Sequence, residues 1–169
     1  MDSVELRALQ APLKQQYRDE PSAALITLRA SGRAGTGVSC KLETGRAIDE
    51  AGLHPATGGD GTLLCSGDML LEALVACAGV TLKAVALSIG VDLRDATVTA
   101  EGVLDFRGTL AVSKETPVGF QEIRLRFELR SDASPEQRAD LIRLTERYCV
   151  VLQTLRHAPQ IVVSHTSAA

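Results

Sequence analysis

Apolar side chains at Val4, Leu6, Leu9 and Leu13 recur near helical spacing, so residues 3 to 18 are expected to form a short amphipathic helix with Pro12 as an irregularity inside it. From Ala23 to Ala30 the pattern loosens into alternation, which predicts a strand. Ser31-Gly32-Arg33-Ala34-Gly35 reads as a turn. Thr36 to Leu42 predicts a second strand, with Val38 and Cys40 on one face and Ser39 and Lys41 on the other. Residues 43 to 66 are polar and glycine-rich, and Thr57-Gly58-Gly59-Asp60-Gly61 is expected to be their loosest part. A long apolar and small-residue stretch from about Asp68 to Ile89 predicts a central helix. Asp68 suits the positive end of its dipole and Gly90 is a natural stop.

Thr97 to Phe106 predicts a further strand. The clearest alternation runs from Gly119 to Arg130, with Ile123, Leu125, Phe127 and Leu129 on one side and Arg124, Arg126, Glu128 and Arg130 on the other. Ser134-Pro135-Glu136-Gln137 has the form of a helix start: a capping serine, proline at the first position and glutamine at the third. That helix is expected to break near Cys149 and restart as far as His157. After Pro159, Gln160 to Ser164 predicts a closing strand. The mixture is α+β. No repeat or linker divides it, so one domain over residues 1–169 is expected, with residues 1–20 as a helical extension and 21–165 as the core.

Composition narrows the function. The 169 residues are enough for one real core, and 45% hydrophobic with 23% charged residues is ordinary for a globular chain. A net charge of −3 argues against nucleic acid as a partner. Aromatic residues make up only 3% and tryptophan is absent, which removes stacking platforms for bases. No run is expected to supply the roughly 18 apolar residues of a membrane span. The amino terminus lacks the basic and apolar regions of a signal peptide, so a cytoplasmic location is expected. Four cysteines in such a chain do not suggest a disulfide scaffold.

The chemistry-bearing residues are few. Cys77 lies inside the central helix among Ala73, Ala76, Ala78 and Gly79. Cys149 lies at the end of the later helix, after Tyr148. Each thiol is most simply a small core side chain, since free cysteine is often buried. Small neighbours around Cys77 would equally let a ligand approach its sulfur. Cys40 reads as structural and Cys65 as a secondary candidate just before the central helix. Asp68 reads as a helix-start carboxylate, Glu72 as a solvated helix position, and Arg33 and Arg46 as turn residues. The sequence lacks Cys-x-x-Cys and His-x-x-x-His, so neither a metal nor a cofactor is expected. It also lacks the Gly-x-Ser-x-Gly elbow and a phosphate-binding loop.

The stretch from Gly67 through Asp68, Leu70, Leu71, Glu72 and Ala76 to Cys77 resembles the reactive-cysteine helix of the OsmC/Ohr family, the osmotically inducible and organic hydroperoxide resistance proteins. Tyr148-Cys149-Val150-Val151-Leu152 is similar to that family's second cysteine segment, and Ile161-Val162-Val163 to its closing strand. The resemblance covers roughly residues 23 to 164. It implies an OsmC-like α+β fold, with antiparallel sheets wrapped around long central helices in an intertwined homodimer. It implies a thiol-dependent peroxidase acting on organic hydroperoxides, in which Cys77 is the attacking thiol and Cys149 the resolving one. An arginine, Arg46 rather than Arg33, would serve the thiolate, and Asp68 would hold that arginine. A dithiol of the dihydrolipoyl type would recycle the enzyme. The family's proline after the second cysteine is Val150 here, and its serine is Leu152. Two other readings follow from those departures: a non-catalytic binding or structural dimer of the same fold, and a thiol enzyme that acts on another electrophile with Cys65 as its partner.

Overall fold

The structure, a computed structural model, describes residues 3–34, 40–42 and 51–165. Helix α1 (Ser3–Asp19) passes through Pro12 without ending, and a 3-10 turn (Pro21–Ala24) leads into β1 (Leu25–Ala34). Strand β2 (Cys40–Leu42) follows, then the short β3 (Ala51–Gly52) and β4 (Leu64–Cys65). The central helix α2 (Ser66–Ser88) precedes β5 (Asp95–Asp105), the single turn α3 (Phe106–Thr109) and β6 (Phe120–Arg130). Two helices close the chain, α4 (Pro135–Tyr148) and α5 (Val150–Arg156).

The main sheet has the order β2-β1-β5-β6, antiparallel throughout, while β3 and β4 form a separate parallel pair. Alternation decides its faces. Val98 pairs with Phe127, and Ala100 with Leu125, so the apolar residues of β5 and β6 share the face on which α2 lies. The other face carries Glu101, Glu122, Arg124, Arg126 and Glu128, tied by ion pairs such as Arg124–Glu122 at 2.8 Å. Between sheet and helices sits a core of Leu71, Leu74, Leu82, Val98, Leu141 and their neighbours. A smaller cluster of Tyr17, Ala24, Phe106 and Leu110 fastens α1 to the end of the sheet.

Several expectations change. Ser31 to Ala34 is not a turn but the end of β1. Gly32 and Arg33 are paired on both sides, with Val98 and Thr97 in β5 and with Leu42 and Lys41 in β2. A residue with ladder partners on two flanks stays extended whatever its turn propensity. The part of the second strand expected over residues 36–39, and Gly35, lie outside the described residues. The loop at Thr57–Gly61 is tied down. The His54 Nδ1 accepts from the Ala56 N–H at 3.0 Å, the Tyr17 hydroxyl donates to the Ala56 carbonyl at 2.8 Å, and the Gln10 amide donates to the Thr57 carbonyl at 3.1 Å. Gly59 is required there, because a Cβ would fall 1.7 Å from the Leu53 carbonyl oxygen.

The C-terminal segment also departs. Gln160 to Ser164 is not a strand: Ile161, Val162 and Val163 are 78–88% exposed. The run has the side chains of a strand, but among the described residues no strand pairs with it to form a ladder. Finally, α2 is long and apolar enough to cross a membrane by length and composition, contrary to expectation. Its buried side chains pack on β1, β5 and α4, so here it is the core helix of a folded domain.

Candidate active site

Cys77 lies midway along α2, half-buried against the core. Around it on one face are Leu70, Ala73, Val80, Ala84 and Leu87, all exposed, at steps of three and four residues. The central helix therefore buries one side on the sheet and leaves an apolar stripe uncovered, with Cys77 in the middle.

Cys149 is fully buried. It ends α4 and starts α5, with φ −71° and ψ 105°, an extended conformation between two helices. Its N–H donates to the Thr145 carbonyl at 2.9 Å and its carbonyl accepts from the Gln153 N–H at 2.9 Å, so the backbone at the break stays bonded on both sides. The kink turns the side chain inward, into the same packed cluster as Cys77. Burial pushes the Cys149 thiol up to about 11. The N–H groups of Leu152 and Val151 pull the other way, through contacts looser than a capping hydrogen bond, while the Cys77 sulfur raises it further. At neutral pH Cys149 is therefore a protonated thiol in one cluster with Cys77. Neither cysteine is in a disulfide.

Beside the pair is a groove of about 370 Å³ between β6 and the last two helices. Leu74, one turn before Cys77, and Leu152, one turn after Cys149, line it together with Phe120, Ile123, Leu125 and Phe127. Glu146 and Arg156, ion-paired at 2.8 Å, are part of its wall.

A family model described as OsmC-like protein matches residues 59–164, which takes in both cysteines, the central helix and the groove. The chain belongs to the OsmC-like family. Its fold is similar to the crystal structure of an OsmC-like hydroperoxide resistance protein from Jannaschia sp. CCS1, with a TM-score of 0.59 and 19% identity over 82% of this chain and 91% of that one. No curated protein sequence matches the chain.

The OsmC-like chain turns Asp68 and Arg33 away from Cys77. Asp68 lies on α2 about 13 Å along the axis from Cys77 and close to the opposite side of the helix. Arg33 shares the outer sheet face with its partner Thr97, turned from α2. Arg46 lies outside the described residues, as does the side chain of Cys40. Cys65 sits at the start of α2, half-buried against the core. Among the described residues no group of three or more His, Cys, Asp or Glu side chains is placed to hold a metal ion.

Asp68 instead joins a polar cluster that sequence reasoning missed. Glu72, expected to be solvated, is only 8% exposed, one turn after Asp68 on the same face. Burial raises the pKa of both carboxyls. The charge of His54 draws Asp68 back down, and Asp68 raises Glu72 further. The His54 ring is stacked on Phe106 with centroids 5.2 Å apart. Only the i, i+4 spacing of the two acids hinted at this cluster. Because the folded pKa of Glu72 is raised, its contribution to stability is present below the unfolded carboxyl value of about 4.3 and is lost as pH rises through the folded value. Glu72→Gln is therefore expected to melt a few degrees above the wild type at pH 7, with the gap closing near pH 4. Melting curves across that range check it, and a variant less stable at neutral pH would contradict it.

Proposed function

We propose that this OsmC-like protein is a cysteine-based hydroperoxide reductase that prefers organic hydroperoxides. The single observation that carries the reading is the packing of the buried Cys149, at the α4–α5 break, in one cluster with Cys77 on α2. Membership of the family supports a peroxide-related role, as does the hydroperoxide resistance of the structural neighbour. The groove one turn from each cysteine offers Leu74, Phe120, Ile123 and Leu152 to an organic tail, which hydrogen peroxide lacks, beside the charged Glu146 and Arg156.

The chemistry runs in three steps. The Cys77 thiolate attacks the distal peroxide oxygen. The O–O bond breaks, and the alkoxide leaves and takes up a proton as an alcohol. Cys77 is oxidised to the sulfenic acid as the peroxide is reduced. The Cys149 sulfur then attacks Cys77. The S–S bond forms, the S–O bond breaks, and the Cys149 proton leaves with the hydroxyl as water. A dithiol of the dihydrolipoyl type reopens the disulfide by exchange and becomes a disulfide itself. In this reading Arg46 supplies the guanidinium that stabilises the thiolate.

The working unit is proposed to be a homodimer. The exposed stripe from Leu70 to Leu87 and the exposed Ile161-Val162-Val163 run are apolar surfaces that a second copy would cover, bringing Cys77 to the subunit interface. The test is consumption of cumene hydroperoxide and hydrogen peroxide with a dihydrolipoamide recycling system, with sedimentation of the same sample. Sustained turnover, faster with the organic peroxide, by a dimer is expected. A folded, fully reduced protein that turns over neither peroxide would sink the enzyme and leave the binding dimer.

A further inference from the structure

The break at Cys149 has no proline to impose it, since Val150 occupies the first position of α5. A continuous helix through this point would let the Glu146 carbonyl accept from the Val150 N–H. The extended ψ of Cys149 takes that donor away, and an unpaired carbonyl beside the core would favour straightening the helix. The lost bond is replaced from farther along the chain: the Gln153 side-chain amide donates to the Glu146 carbonyl at 2.7 Å. A second clasp spans the same break, with the Arg156 guanidinium donating to the Glu146 carboxylate at 2.8 Å. Both run from α5 back to the last turn of α4, on either side of the cysteine.

We propose that Gln153 is the positioning residue for Cys149: its amide holds the helix break and so keeps the Cys149 sulfur in one cluster with Cys77. The role in turnover rests on the hydroperoxide reductase reading, but the positioning itself does not. Without the Gln153 donor, Glu146 recovers a partner only by straightening the backbone, which swings the Cys149 side chain out of that cluster. The β-branched Val150 and Val151 disfavour that straight form only slightly. Proline at position 150 would do by covalent means what Gln153 does by hydrogen bonding. It fixes the first helical residue and forces the residue before it into the extended region that Cys149 already occupies.

The experiment uses the full chain in four forms: wild type, Gln153→Ala, Gln153→Lys, which keeps a donor of similar reach, and Gln153→Ala with Val150→Pro. The first readout is the Cys149 Cα chemical shift in the reduced protein. It is expected to be extended in the wild type, to move toward the helical value in Gln153→Ala, and to return in the other two. The second readout is the equilibrium with oxidised dithiothreitol, in which the protein dithiol becomes a disulfide as dithiothreitol is reduced. Gln153→Ala is expected to lower that constant by about fivefold, the worth of one net hydrogen bond, with both other variants near wild type. Unchanged shift and unchanged equilibrium in Gln153→Ala would overturn the proposal. If Gln153→Ala does not fold, a folded double variant with wild-type values supports it and an unfolded one overturns it. A wild type that forms no Cys77–Cys149 disulfide, with the shift still lost in Gln153→Ala, refutes the reductase reading and leaves the positioning role standing.

Discussion

Replacing Cys77 with serine is expected to remove peroxide turnover, a loss on the order of a thousandfold or more, because a serine hydroxyl at neutral pH offers no comparable nucleophile. Cys149→Ser is expected to behave differently. Its first equivalent of peroxide disappears at the wild-type rate, since Cys77 is intact. Turnover then stops, because no second thiol remains to condense with the Cys77 sulfenic acid. The sulfenic acid persists and proceeds to the sulfinic acid as more peroxide arrives. Rapid-mixing measurement of peroxide loss, followed by mass analysis of Cys77, separates the two variants. Residual cycling in Cys77→Ser would move the chemistry to another residue. Unimpaired recycling in Cys149→Ser would make Cys65 the candidate partner. The same geometry orders the two thiols toward an alkylating agent. Cys149 is buried and protonated, with its thiol raised to about 11, so Cys77 is expected to be labelled first.

Much of the architecture was legible because it depends on local pattern. The alternation from Ile123 to Leu129 marks the inward face of β6, and Ser134 and Gln137 form the full capping box. The break at Cys149 was legible from the interrupted amphipathic pattern. What was not legible is tertiary. Ser31 to Ala34 looks like a turn until strands flank it on both sides. Ile161 to Val163 looks like a strand, but strand formation needs a neighbour that sequence cannot supply. Glu72 looks solvated because nothing in a one-dimensional pattern distinguishes the two polar edges of a helix. The gathering of Cys77 and Cys149 into one cluster is of the same kind: two recognisable segments whose relative placement depends on how α4 and α5 pack on α2.

A large loss of stability is expected at Leu82, which is fully buried in the core. Leu82→Ala removes buried methyl and methylene groups and leaves a cavity that the sheet cannot close, at a cost of about 3 kcal/mol. Leu87 is on the same helix but 62% exposed. Leu87→Ala is expected to change the stability of an isolated chain by less than about 0.5 kcal/mol, since alanine is also the better helix former. Denaturant unfolding of the two variants checks the contrast. The comparison also probes the uncovered stripe. If Leu87→Ala costs as much as Leu82→Ala at high protein concentration and much less on dilution, that face is covered by a second copy. Equal, concentration-independent losses would mean that α2 lies deeper in the single chain than its exposure indicates.

The composition of α2 has a consequence for synthesis. Translation delivers the chain from its amino end, so when Ser88 leaves the ribosome β1, β2 and β4 have emerged among the elements that pack most on α2. Strand β5 and helices α4 and α5, which cover the rest of its buried side, are still to come. At roughly 5–20 residues per second that interval lasts several seconds. During it, a helix apolar enough to pass for a membrane segment is bare to the machinery that sorts nascent chains between insertion and release. The segment that organises the finished core therefore waits, after it has emerged, for β5, α4 and α5 to cover it.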